Sequence, residues 1–131
     1  QFAFDAREES DYLPHNYTSN CIVYTGTHDN DTTAGWYNSI NEHDRAFANK
    51  YINIKDTSLE EINWDFIRAA HGSVAKLAII PMQDYLVLGS EARINTPSTL
   101  GGNWQWRLLE GEFSPELQEK IFSITKLYGR I

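Results

Sequence analysis

The chain has 131 residues and a formal net charge of −7, from 18 Asp and Glu against 11 Lys and Arg. That length suffices for one domain with a core of its own, and without a basic block to follow a phosphate backbone, nucleic acid is excluded as the expected partner. No stretch approaches the roughly 18 apolar residues that span a bilayer, and the start lacks the basic-then-apolar pattern of a signal peptide, so no membrane partner is expected either.

The chain opens on "QFAFD", an alternating aromatic stretch that fits a short strand. With no initiator Met and no polar lead-in, it suggests a chain cut at or inside a strand, a fragment or a processed product. "AREESDYLPHNYTSN" follows, polar and interrupted by Pro14, and is expected to be a loop. "CIVY" is a continuous apolar, β-favouring run between turn residues, the pattern of a strand buried on both faces. Cys21 within it is the single cysteine, so no internal disulfide exists, and a small buried hydrophobe in a cytoplasmic protein fits that usage. The sequons at Asn16 and Asn30 would matter only in a secreted chain.

Directly after this run comes "TGTHDNDT", dense in hydroxyl, imidazole, amide and acidic groups. The next segment, "TTAGWYNSINEHDRAFANKYI", is expected to form helical turns broken near Gly35 and Asn41. "SLEEINWDFIRAAHG" predicts a helix: Ser58 and Glu61 match a capping box, Leu59, Ile62, Phe66 and Ala70 share one face, and Gly72 stops it. "LAIIP" repeats the buried-strand signature, closed by Pro81. The loop "MQDYLVLGSEARINTPSTLGGNWQWRLL" is then too long for a mere connector. "SPELQEKIFSITKLYGRI" predicts a final helix with Ser114 as N-cap, Pro115 in the first turn, and Leu117, Ile121, Ile124 and Tyr128 on one face.

Strand, polar loop, helix, strand is the grammar of a parallel βαβ unit and therefore of an α/β fold. Both polar loops then fall at the carboxyl ends of the strands, where such folds gather their functional groups. Spacing alone leaves a barrel and a doubly wound sheet open.

His28 and Asp29 lie in the first loop. A carboxylate beside an imidazole and several hydroxyls can hold a polyhydroxylated ligand or balance a developing positive charge; equally, Asp and Asn in such a loop cap local backbone N–H groups. A metal site from His28, Asp31 and His43 lacks any known ligand spacing, and no cofactor is called for. In the second loop Arg93 and Asn95 offer donors to hydroxyls, and Trp104 and Trp106 offer flat faces on which sugar rings stack. Of the two, Trp106 is assigned to the core. Glu91 and Asp84 are expected to be structural partners of a nearby Arg, and His71 to cap its helix.

Taken in order, "VYTGTHDNDTT", "AIIPMQDYLVLGSEARINTPSTLGGNWQWRL" and the lead-in "QFAF…YLPHNY" resemble the C-terminal part of the 4-α-glucanotransferases, also called amylomaltases or disproportionating enzymes, over residues 1 to about 107. The resemblance implies the C-terminal part of a (β/α)8 TIM barrel, with "QFAF", "CIVY" and "LAII" as its last three strands and residues 1–131 an incomplete piece of one catalytic domain. Since such a barrel takes roughly 250 residues, this chain cannot close one alone. The implied activity is retaining cleavage of an α-1,4-glucan and transfer to the 4-hydroxyl of an acceptor, so α-1,4-glucans and malto-oligosaccharides are the implied partners. Of the family's three carboxylates only the third maps here, to Asp29, with His28 and Asn95 as substrate contacts. The nucleophile and acid/base would lie upstream, and the chain by itself is expected to be inactive, to expose strand edges and to self-associate.

Two departures from the family pattern stand out, Val87 and Ser98, where the family commonly has Gly. The competing class is a non-catalytic carbohydrate-binding domain using Trp104, Tyr37 or Trp36 as a stacking platform; such modules are usually β-sandwiches, and the βαβ pattern disagrees. A purely hydrolytic relative would differ in acceptor alone.

Overall fold

The computed structural model describes residues 1–4, 10–55, 58 and 60–131. Its elements, in order, are a 3-10 turn at Pro14–Asn16, β1 (Ile22–Tyr24), α1 (Thr33–Ser39), α2 (Glu42–Ile52), α3 (Ile62–His71), β2 (Leu77–Ile79), α4 (Met82–Tyr85), a second 3-10 turn at Ser90–Ala92 and α5 (Pro115–Leu127). The expected βαβ unit is present: β1 and β2 pair in parallel, with Ile22 opposite Leu77, Val23 opposite Ala78 and Tyr24 opposite Ile79. The helices α1 to α3 make the crossover that parallel pairing requires.

The strands are covered on one face. Val23 is buried, whereas Ile22 and Tyr24 on β1 and Leu77 and Ile79 on β2 are exposed. The expectation of burial on both faces is therefore corrected for this chain: residues alternating along a strand point to opposite faces, and only the one that holds Val23 is covered, by Ala70 of α3 and by Ala75 from the segment between α3 and β2. Cys21 stands one residue before β1, half-buried on the same cluster.

"QFAF" is no strand. Phe4 N donates to Gln1 O at 3.1 Å, closing a turn. Ala3 and Phe4 are both buried, so the strand-like alternation breaks at the first pair. Phe4 anchors an aromatic cluster instead, edge-on to Phe66 with centroids 5.6 Å apart, with Trp36, Phe47 and Tyr51 around it. Asp5, the last residue of that predicted strand, lies outside the described residues.

α1 and α2 are each capped by a side chain at the start. Thr32 accepts from Gly35 N at 3.1 Å and Asn41 from Asp44 N at 2.9 Å, each satisfying a backbone donor of the first turn. The break at Asn41 is as expected, but Gly35 lies inside α1. A Cβ there would collide with Ser90 Oγ and both Asp31 carboxylate oxygens, so the glycine permits a close approach between helix and loop.

α3 is the central helix. Seven of its ten residues are buried, because three clusters share it: Ile62 and Phe66 face the aromatic cluster, Ala70 the sheet, and Trp64 and Ile67 face α5. A helix apolar nearly all round is one covered on several sides. Its predicted capping box does not form: Glu61 occupies the N-cap without a side-chain bond, and its N–H donates to Ser58 O. Leu59, assigned to the helix face, lies outside the described residues.

The final helix is as predicted. Ser114 Oγ accepts from Leu117 N at 3.2 Å, and Leu117, Ile121, Ile124 and Tyr128 pack on Trp64 and Ile67. Lys120 joins the two helices a second way, ion-paired to Glu61 at 2.7 Å and 4.1 Å above the Trp64 ring.

The end of α3 corrects the reading of His71. Its ring is buried, and among the described residues neither ring nitrogen has a hydrogen-bond partner. The cap comes from Arg130, whose guanidinium donates to the carbonyls of Ala70, His71, Ser73 and Ala75 at 2.8–3.4 Å. A cation on orphan carbonyls at a helix C-terminus opposes the negative end of its dipole.

Candidate functional site

The first polar loop begins at Thr25, one residue past β1, and its shape is set from below. Asp84 of α4, 1% exposed, accepts from Thr25 Oγ1 at 2.5 Å, Thr33 Oγ1 at 2.8 Å and Thr33 N at 2.8 Å. Asn63 of α3 donates to the Asp84 carbonyl at 3.1 Å. A buried carboxylate persists only when donors surround it; these donors are the tip of β1, the start of α1 and, through the carbonyl, α3. Asp84 is thus structural, as expected, but its partners are threonines and not an Arg. Glu91, likewise, accepts from Gly89 N within its own turn.

Above this anchor, Thr27 N and Oγ1 both donate to Asn30 Oδ1, and Asn30 N donates to Thr27 O. The loop-capping reading is therefore correct for Asn30. It also explains the apex: with 27 and 30 tied together, His28 and Asp29 project outward, their side chains 54% and 51% exposed. Asp31 turns back, accepting from Thr32 N and from Ser90 Oγ at 2.6 Å.

The second loop arrives from the other strand. Asn95 Nδ2 donates to Asp29 Oδ1 at 2.7 Å, and His28 Nε2 stands 3.4 Å from the same oxygen. Among the described residues Asp29 Oδ2 has no such partner. Arg93 donates from Nε to Asn95 O and from Nη2 to Asp29 O, at 2.9 and 2.7 Å. Trp104 N donates to Ile94 O at 2.7 Å, and the exposed indole lies against the His28 ring, centroids 5.0 Å apart.

The residues assigned by sequence are thus brought together: His28, Asp29, Arg93, Asn95 and Trp104 form one exposed patch from two loops. Trp106 is half-buried but belongs to none of the hydrophobic clusters, so its assignment to the core is corrected. Tyr37 is buried and Trp36 packs in the aromatic cluster, which removes both as stacking platforms. His43 sits on α2, away from the loops in sequence, and among the described residues no three His, Cys, Asp or Glu side chains are grouped to hold a metal. The sequence reading missed Ser90 and the way Asp84 acts; the one signal was a lone Asp three residues past the strand-ending Pro81.

Chemically the patch pairs a half-exposed carboxylate oxygen with an imidazole, an amide and a flat indole. Hydroxyls can donate to such a carboxylate, and ring C–H surfaces can lie on such an indole. This defines an α/β protein with a polar candidate site on the loops at the carboxyl ends of adjacent parallel strands.

Comparison with known proteins identifies the group within that class. The family model described as 4-alpha-glucanotransferase matches residues 1–112, and the chain belongs to that family. The chain is 51% identical to a 4-alpha-glucanotransferase of Thermus thermophilus, covering all of this chain and 27% of that protein. It is 48% identical to one from Clostridium butyricum, covering 99% of this chain and 26% of that one. Among solved structures, the amylomaltase of Streptococcus agalactiae in complex with acarbose superposes with a TM-score of 0.89 at 34% identity, over 95% of this chain and 25% of that one. The chain thus spans about a quarter of the length of these relatives.

Proposed function

We propose that the protein carrying this segment is a 4-α-glucanotransferase, moving an α-1,4-glucan segment to the 4-hydroxyl of an acceptor sugar with retention of configuration. In this reading β1 and β2 are the last two strands of a (β/α)8 barrel, and residues 1–131 are the C-terminal portion of its catalytic domain, acting in the cytoplasm. The nucleophile and the acid/base come from outside these residues. The first carboxylate displaces the leaving sugar at the anomeric carbon while the second protonates the departing oxygen; the acceptor hydroxyl then gives up its proton and attacks the glycosyl-enzyme bond.

Asp29 is the third carboxylate. Its role is to hold ring hydroxyls of a distorted sugar and to favour the positive charge that develops at the anomeric carbon, an electrostatic contribution. His28 and Asn95 contact the same sugar. One observation carries this reading: the Asn95 amide and the His28 imidazole converge on a single oxygen of Asp29, which fixes the carboxylate and leaves the second oxygen for a ligand.

The test is transfer between maltotriose molecules, followed by glucose release. In the full-length protein Asp29→Asn is expected to lower kcat by about 10²- to 10³-fold, the scale for loss of one preorganised electrostatic group, with a smaller change in KM. The purified 131-residue chain, run beside it, is expected to show no transfer. Full turnover by Asp29→Asn would remove the assignment, and hydrolysis without transfer would favour the hydrolytic alternative.

A further inference from the structure

We propose that Arg93 is a positioning residue that holds Asp29 and Asn95 in register; this rests on the reading of Asp29 given above. The guanidinium donates from Nε to the Asn95 carbonyl and from Nη2 to the Asp29 carbonyl, at 2.9 and 2.7 Å. These are the main chains of the two residues whose side chains meet at 2.7 Å, 66 positions apart in sequence. One planar group therefore fixes both ends of the side-chain contact.

The contact needs that support. Asp29 is half-exposed on a loop apex, and a hydrogen bond between two side chains that water can reach gains little over their bonds to water. Freeing either main chain lets both side chains turn to solvent and recover rotamer entropy. The staple removes that freedom before any sugar arrives. Among the described residues no carboxylate pairs with Arg93, so all its observed bonds go to carbonyls; its work is geometric. Lysine is a poor substitute, because two carbonyls in one fork plane match a rigid guanidinium and not a single ammonium on a flexible stem. The base of the second loop is fixed in the same place, since Arg93 precedes the Ile94–Trp104 closure that carries the indole to His28.

The experiment uses the full-length protein with maltotriose, comparing wild type, Asp29→Asn, Arg93→Ala and Arg93→Lys. Arg93→Ala is expected to lower kcat by about 10- to 100-fold, as for a misplacement of about 1 Å in a catalytic group, with KM within about threefold and the melting temperature little changed. Arg93→Lys is expected to recover little of the loss. Guanidinium ion at millimolar concentration is expected to restore part of the activity to Arg93→Ala and none to Asp29→Asn. Wild-type kcat in Arg93→Ala, or full rescue by Lys, overturns the proposal. A readout independent of turnover is a crystal structure of Arg93→Ala: the Asn95 Nδ2 to Asp29 Oδ1 separation is expected to exceed hydrogen-bond length, and its persistence at the wild-type value also overturns it. Failure of the Asp29 reading is seen separately, as undiminished turnover in Asp29→Asn.

Discussion

Val87 and Ser98 have φ of 57° and 64°, in the left-handed region that side chains disfavour. The strain is about 1–2 kcal/mol at each, and glycine would relieve it while adding about 0.5–1 kcal/mol of unfolded-state entropy. Ser98 is exposed, so nothing else is lost, and Ser98→Gly is expected to stabilise the protein by about 0.5–1 kcal/mol in denaturant unfolding. Val87 is partly buried against Trp64, Ile67 and Ile124. Losing that side chain costs about 1–2 kcal/mol, so Val87→Gly is expected to be near neutral. A clear gain at Val87 with none at Ser98 would reverse the argument. Both positions were marked in the sequence as departures from family glycines, and so the backbone was legible there through what it lacked. Trp104, at φ 63°, was not: no residue pattern announces a left-handed tryptophan. Asp84 was read as structural, but its contacts to Thr25 and Thr33 join residues 51 to 59 apart and leave no local signal.

Among the elements, α5 was the most legible, because Ser114, Pro115 and the apolar stripe are local features that agree. α3 was half legible. The stripe Ile62, Phe66, Ala70 was read correctly, but the second stripe of Trp64 and Ile67 has meaning only once α5 lies over it. The same joint predicts an effect of pH. Burial, and then the nearby Arg130 cation, hold the His71 imidazole below its ordinary range near 6.5. The unfolded chain therefore takes up the proton first as pH falls, and folding stability attributable to His71 is complete above about pH 6.5 and declines below it. Replacement by Leu is expected to flatten the loss of stability below about pH 6.5 relative to wild type, measured as the denaturant midpoint against pH. An unchanged slope would mean that the carboxylates alone set the acid sensitivity.

For the whole molecule, α/β class and parallel pairing were legible because short apolar strands and amphipathic helices alternate along the chain. The false strand at "QFAF" shows the limit: alternation over four residues also fits a turn that inserts one aromatic into a core. One face of the sheet remains open, carrying Ile22, Tyr24, Leu77 and Ile79, and beside it runs a groove of about 620 Å³ lined by Phe2, Ile22 and Tyr24 among others. The isolated chain is expected to self-associate through this face. Sedimentation should show oligomers for wild type, and a shift to monomer for the pair Ile22→Glu with Leu77→Lys, which places opposite charges at register partners. A clean wild-type monomer would mean that the face is closed some other way.

The bonds that Asp84, Ser90 and Arg93 make to the first loop also bear on how such a site can be rebuilt. A designer who exchanges the second loop for that of a relative also exchanges the support of the first. The transplant has to bring a carboxylate for Thr25 and Thr33, a hydroxyl for Asp31 and a guanidinium for the Asp29 carbonyl. The two loops are best treated as one exchangeable part, cut below Thr25 and after Trp104, with specificity altered only at the exposed tips between those fixed points.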